Sequence, residues 1–195
     1  MRGGARGRYM KDKKTLRREM KAVRAAVEGR AAADRAIGEA LLALPEVAAA
    51  KSLFVYKSFG TEADTGAILA ALCGAGKEVF LPRVENGEMV AVRYTGQPLA
   101  CGAFGIEEPC GEPFAGAPDV CIAPLLAADG QFRRLGYGGG YYDRYFAREG
   151  RGAFKIGICY DVQLIKTIPA EAHDARLDVI VTDKRVLRRE KAEEQ

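Results

Sequence analysis

Between Arg134 and Asp143 the chain reads Arg-Leu-Gly-Tyr-Gly-Gly-Gly-Tyr-Tyr-Asp, with glycine at Gly136, Gly138, Gly139 and Gly140, an arginine at one edge and a carboxylate at the other. Glycines let backbone N–H groups converge on an anion with no Cβ in the way. Arg134 can grip phosphate oxygens through two hydrogen bonds at once, and Asp143 can hold the magnesium that accompanies a nucleotide. The pattern is neither Gly-x-x-x-x-Gly-Lys-Ser/Thr nor the dinucleotide fingerprint that follows a first strand. A flexible turn between strand and helix explains the glycines alone, but accounts less well for Arg134, Tyr141, Tyr142 and Asp143 gathered around them.

Other candidate groups lie far from this run in sequence. Lys13 and Arg17 stand an i, i+4 step apart, which puts two cations on one helix face; that suits a polyphosphate, and equally an ordinary basic surface helix. Glu62 follows a strand, where α/β proteins place ligand-binding groups, though a solvated loop acid has the same sequence context. Asp143 and Asp178 each stand beside the end of an element at one expected edge of the sheet and could share a magnesium ion. Asp174 competes with Asp178, and the sequence ranks neither. His173 is the only histidine; with no serine or cysteine placed near it, it reads as a surface loop residue rather than an acid–base group.

These groups need a scaffold that alternates strands and helices. Leu16, Met20, Val23 and Val27 make a helical stripe within Lys11–Glu28, and a second helix is expected over Ala32–Leu44, stopped by Pro45. Ser52–Tyr56, Lys77–Leu81 (closed by Pro82), Glu88–Tyr94, Val120–Ala123, Phe154–Tyr160 and Asp178–Thr182 read as strands. A helix capped by Asp64 or Thr65 runs through Ala71, another covers Tyr141–Glu149, and Thr95–Pro118 is loop-rich. Strands that alternate with helices require a mostly parallel sheet, so the fold class is α/β, in one domain.

With 195 residues and 48% hydrophobic content the chain can bury a core of ordinary size. The net charge of +4 is modest and gathers at the ends, where the aromatic interleaving of a single-strand binder is missing; no nucleic-acid partner is expected. Five cysteines, odd in number and without a Cys-x-x-Cys pair, read as reduced thiols. No apolar run reaches the roughly 18 residues of a membrane span, and cytoplasm is the expected compartment. Residues 1–10 read as a flexible basic tail, 11–187 as the domain and 188–195 as a charged tail.

Lys13-Lys14-Thr15-Leu16-Arg17, Tyr56-Lys-Ser-Phe-Gly-Thr-Glu62-Ala-Asp-Thr65, Gly105-Ile-Glu-Glu-Pro109 and Asp129-Gly-Gln-Phe-Arg-Arg134 through Asp143-Arg144 occur in the order seen in the 5-formyltetrahydrofolate cyclo-ligases, or methenyltetrahydrofolate synthetases, and from about Lys11 to Thr182 the chain resembles that family. The long glycine element is specific; the helix and the glutamate loop gain weight from their order. The resemblance implies a single α/β domain of NagB/RpiA/CoA-transferase-like architecture, with the N-terminal helix appended, that acts as a monomer. It implies ATP- and magnesium-dependent conversion of 5-formyltetrahydrofolate to 5,10-methenyltetrahydrofolate with release of ADP and phosphate. By position, Lys13, Arg17, Arg134, Leu135, Gly136, Tyr137, Gly138, Gly139, Gly140, Tyr141 and Tyr142 resemble the ATP contacts. Lys57, Glu62 and Tyr137–Tyr141 resemble the folate-facing residues, and Asp143 and Asp178 the magnesium ligands. Arg134, Tyr142 and Asp143 are the expected catalytic groups. Two positions depart from the family: Gly139, where some members have lysine, and Ala128, where an aromatic is common and forms pocket wall. From the residues alone, a phosphosugar isomerase or CoA-transferase-like activity, or a folate- or RNA-binding module, stays open.

Overall fold

The structure is a computed structural model that describes residues 12–102, 105–171 and 174–190; the expected tail at 1–10 and His173 lie outside the described residues. Helix α1 (Lys13–Ala25) starts where the Asp12 carboxylate accepts the Thr15 N–H at 2.7 Å. Then come α2 (Arg30–Leu42), α3 (Pro45–Ala49), β1 (Ser52–Val55), α4 (Gly66–Gly74), β2 (Glu78–Glu85) and β3 (Glu88–Tyr94). After the short hairpin β4 (Ala100–Cys101) and β5 (Glu107–Glu108) follow β6 (Val120–Ala123), β7 (Ala127–Asp129) and β8 (Arg134–Leu135). The chain continues through α5 (Tyr141–Ala147), β9 (Phe154–Ile158), β10 (Leu164–Ile165), β11 (Val179–Val181) and β12 (Val186–Arg188). That last strand takes in Arg188, the first residue of the expected charged tail.

Seven strands form the central sheet in the order β12-β11-β9-β6-β1-β2-β3. The five inner strands run parallel, and β3 and β12 close the edges antiparallel. Period-two alternation splits the core. Leu53, Val55, Ile122, Ile156 and Ile158 pack on one face against Ile37 and Leu41 of α2 and Ile68 and Leu72 of α4. Phe54, Phe80, Cys121 and Ala123 pack on the other face against Tyr145 and Phe146 of α5. This is the expected α/β sheet with helices on both faces. From β1 the chain steps outward to β2 and β3, and then returns to the far side of β1 as β6. The crevice beyond the carboxyl ends of β1 and β6 is therefore a topological switch point, where open α/β sheets bind ligands.

Several local expectations change. Pro45 starts α3 instead of merely stopping α2: at the first helical position its missing N–H costs nothing. Pro82 does not close β2, which runs on to Glu85. Pairing with β1 ends at Phe80, so beyond it a missing N–H on that side breaks no ladder. Thr65 precedes α4 without capping it; its hydroxyl donates to the Tyr56 carbonyl at 3.0 Å and accepts the Ser58 N–H, and so fastens the loop that carries Glu62. Val23, expected on the buried stripe of α1, is 39% exposed, while Arg24 beside it is buried.

A second sheet, β10-β7-β8, was not expected from the sequence because its strands are two or three residues long. Leu16 and Met20 of α1 pack against Leu126, Ala127, Leu135 and Ile168 there, so the N-terminal helix is anchored next to the glycine run. The buried Asp129 carboxylate receives the N–H groups of Gln131, Arg133 and Ile168 at 2.9, 3.1 and 2.8 Å. The aspartate of the Asp129–Arg134 motif thus shapes the turn that delivers Arg134. Ala128 is fully buried on β7 among Leu125, Cys159, Leu177 and Ile180, so its departure from the family bears on core packing, not on the pocket wall.

Candidate functional site

A cavity of about 470 Å³ opens at the switch point. Its wall brings together Lys13, Arg17, Lys57, Glu62, Arg134 and the whole run Leu135–Asp143. Residues that the sequence had scattered over three segments thus share one space. Three elements carry these residues: α1 brings the cations, the loop after β1 brings Lys57 and Glu62, and the loop from β8 to α5 brings the glycines.

At one end the charges are paired. The Arg134 guanidinium, 8% exposed, donates to Asp143 Oδ1 at 3.0 Å and lies 5.3 Å from the centre of the Tyr142 ring. The Tyr142 hydroxyl and the Arg134 Nε are buried with no hydrogen-bond partner, although both residues line the cavity. Lys13 Nζ reaches Asp174 at 2.8 Å and Glu171 at 3.1 Å. Arg17 Nε donates to the Gly136 carbonyl at 3.0 Å. Gly138 has φ +106°, and a Cβ there would lie 3.1 Å from the Arg17 guanidinium carbon, so only glycine allows the loop this close to α1. Gly140 has φ +69° and turns the chain into α5.

At the other end Glu62, 6% exposed, sits behind aromatic rings. Its Oε2 accepts the Phe59 N–H at 3.1 Å, and its Oε1 accepts the Tyr137 hydroxyl. Phe59 and Tyr137 lie 5.7 Å apart between ring centres. Burial pushes the Glu62 carboxyl above the ordinary carboxylate range, against the opposing pull of Tyr137, the Phe59 N–H and Arg24. The Tyr56, Tyr137 and Tyr142 hydroxyls are all pushed up by burial and stay neutral phenols. Lys57 Nζ stands 3.7 Å from Glu107 of the β5 hairpin.

The expected pairing of Asp143 with Asp178 is corrected. Asp178 precedes β11 at the amino end of the strands, where it accepts the Lys155 N–H at 2.9 Å and pairs with Arg189. The cavity lies at the carboxyl end. Asp174, the competitor, is on the cavity wall. Sequence reasoning also missed Phe59, Met89 and the apolar edge of β2, because packing residues carry no chemical signature, and Glu171, whose partner Lys13 lies far away in sequence; Arg24 left a signal, since it continues the Lys13/Arg17 face at i+7.

The fold and the site together define an α/β protein whose switch-point crevice joins a cationic, glycine-rich end to a carboxylate bedded in aromatic rings. That combination suits an anionic ligand beside a flat, N–H-bearing one. The chain belongs to the 5-formyltetrahydrofolate cyclo-ligase family, whose model matches residues 9–183. It is 33% identical over 155 residues to the 5-formyltetrahydrofolate cyclo-ligase of Escherichia coli (strain K12), covering 75% of this chain and 85% of that one. A probable 5-formyltetrahydrofolate cyclo-ligase of Schizosaccharomyces pombe is 32% identical over 165 residues, covering 74% and 81%. The NMR structure of Aquifex aeolicus 5,10-methenyltetrahydrofolate synthetase superposes with a TM-score of 0.82 at 32% identity, covering 94% of this chain and 96% of that one.

Proposed function

We propose that the protein converts 5-formyltetrahydrofolate and ATP to 5,10-methenyltetrahydrofolate, ADP and phosphate, with residues 11–187 as the catalytic domain. One observation carries the reading: a single cavity has lysine, arginines and a glycine loop at one end and a buried carboxylate among aromatic rings at the other. The first end suits a polyphosphate and the second a reduced pterin, whose ring N–H groups a carboxylate can accept.

The formyl oxygen of an amide is a poor leaving group. Transfer of the γ-phosphoryl group to it breaks the bond to ADP and makes a good one; N10 then attacks the formyl carbon, loses its proton, and phosphate departs. Such transfer needs positioning and charge neutralisation rather than a protein nucleophile. In this reading Lys13, Arg17 and Arg134–Tyr142 bind ATP, and Arg134 neutralises charge on the transferred group. Lys57, Glu62 and Tyr137–Tyr141 orient the folate, and the Tyr142 ring backs the Arg134 guanidinium.

A magnesium ion that arrives with a nucleotide takes one or two carboxylates from the protein. Asp143 and Asp174, both on the cavity wall, fit that donor set. Magnesium held there would neutralise phosphate charge. A cytoplasmic monomer is part of the same proposal. Among the described residues no helix is long and apolar enough to cross a membrane.

The test is absorbance of methenyltetrahydrofolate on mixing the protein with MgATP and 5-formyltetrahydrofolate. Product that requires ATP is expected, and absence of product overturns the reading. Turnover of a substrate without ATP points instead to an isomerase or transferase.

A further inference from the structure

Arg24 is only 4% exposed and stands in the last turn of α1, behind the cavity wall. Its Nη1 donates to the Tyr137 hydroxyl at 2.7 Å and lies 3.9 Å from Glu62 Oε1, and its Nε donates to Thr61 Oγ1 at 3.0 Å. It thereby ties α1 to both the glutamate loop and the glycine loop.

The direction of these bonds has a chemical meaning. A guanidinium can only donate, so the Tyr137 oxygen accepts from Arg24 and its single proton turns toward Glu62 Oε1. A backbone N–H likewise can only donate, and that of Phe59 points at Oε2. Both oxygens of Glu62 therefore accept a hydrogen bond, which favours the carboxylate over the protonated acid. We infer that Arg24 is a positioning residue that fixes Glu62 as a carboxylate through Tyr137, and so sets how acidic the medium can become before folate binding fails. This rests on the proposed role of Glu62 as the group that receives the pterin N–H donors.

Opposing influences surround the carboxylate as well. Burial works against the charged form of Glu62, and the neutral phenols of Tyr56 and Tyr142 face it without neutralising it. From α2, Arg30 donates to the Glu62 carbonyl, and Asp34 accepts the Tyr160 hydroxyl beside that carbonyl. Lys21 of α1 lies 5.7 Å from the Tyr137 ring centre. Of these groups Arg24 is the cation that addresses the carboxylate.

Two readouts test this, on the full chain as Arg24→Gln, Arg24→Lys and Tyr137→Phe. The first is the titration of the Glu62 side-chain carboxyl by carbon-13 NMR of glutamate-labelled protein, the signal identified by its loss in E62Q. The second is the pH dependence of kcat/KM for 5-formyltetrahydrofolate at saturating MgATP. Arg24→Gln should move both the titration and the acid limb upward by about one pH unit, which is about tenfold in kcat/KM on the acid side. Arg24→Lys should restore most of the position, and KM for ATP should not change. A merely structural role would lower melting temperature and kcat and leave the acid limb in place.

A folded Arg24→Gln whose Glu62 titrates as in the wild type overturns the inference. If that variant does not fold, Tyr137→Phe, which keeps the ring and the guanidinium but breaks the relay, must give the upward move, and failure to do so overturns it. A wild-type protein that makes no methenyl product counts against the proposed function instead, while the NMR titration still decides the part played by Arg24.

Discussion

At the Glu62 end of the cavity the polar groups are buried and bonded in fixed directions, whereas at the Lys13 end they are cation–anion pairs drawn from distant segments. Glu62 and Arg24 are 6% and 4% exposed, held by α1, the loop after β1 and the glycine loop. Lys13 pairs with Asp174 and Glu171, and Arg134 with Asp143. A carboxylate that recognises N–H groups works best desolvated, which demands a rigid shell. A polyphosphate instead needs cations that can be handed over. Pairing keeps those charges neutral between ligands, and an incoming phosphate can take the place of a carboxylate. One end is a preformed mould, and the other is a set of exchangeable partners.

The paired end should not tolerate loss of a member. Arg134→Ala or Asp143→Ala should abolish ATP-dependent formation of methenyltetrahydrofolate, read by absorbance, with the circular dichroism spectrum intact; turnover at the native rate means the site is misplaced. At the mould end, Glu62→Gln should lower kcat/KM for the folate on the order of a hundredfold, the worth of charge-assisted hydrogen bonds, with KM for ATP unchanged.

The same substitution sharpens the contrast through stability. Because burial raises the folded pKa of Glu62 above its unfolded value, the ionised side chain opposes folding above the folded pKa, and this cost vanishes below the unfolded pKa. Glu62→Gln loses an acceptor for Tyr137 or Phe59 at every pH, but its melting temperature relative to wild type should rise as the pH climbs through the carboxylate range. A relative melting temperature that rises toward acid pH contradicts the sign.

Smaller effects separate the ends further. Lys13→Gln should raise KM for ATP about tenfold and leave the folate KM alone, since one phosphate contact of a long, half-screened cation is at stake. Gly140→Ala should cost about 1 kcal/mol, because φ +69° is strained for any residue with a Cβ, and lower the melting temperature by about 3 °C. An unchanged melting temperature would mean that the loop adjusts freely.

What could be read from the sequence follows from how local each signal is. The strands Glu88–Tyr94 and Val120–Ala123 were read at their observed limits, since apolar residues bounded by turns or proline are complete within a few positions. The glycine run, Lys13, Arg17 and Glu62 were legible as candidates because their chemistry is written in residue type. Which aspartate meets Asp143 was not: Asp174 and Asp178 are four residues apart, yet β11 places Asp178 at the amino end of the strands and the segment before it brings Asp174 to the cavity. Val23 lost its expected buried place to Arg24, which follows Met20 by four positions and is held by a tertiary partner, Tyr137, that the sequence does not reveal. The small sheet escaped because two-residue strands have no period to detect.

The return of the chain to the far side of β1 also governs how the protein can be made. Ser52 and Lys51 donate their N–H groups to Asp119, and β1 gains its second neighbour only when β6 emerges more than sixty residues later. Until then the hairpin of β2 and β3 can form, while the apolar edge of β1 waits unpaired. Loop closure over that span precedes the reward, so the sheet should assemble late and slowly from its two halves. On a ribosome the seam between β1 and β6 is where a nascent chain stays open to its neighbours, and it is the same seam that later becomes the cavity.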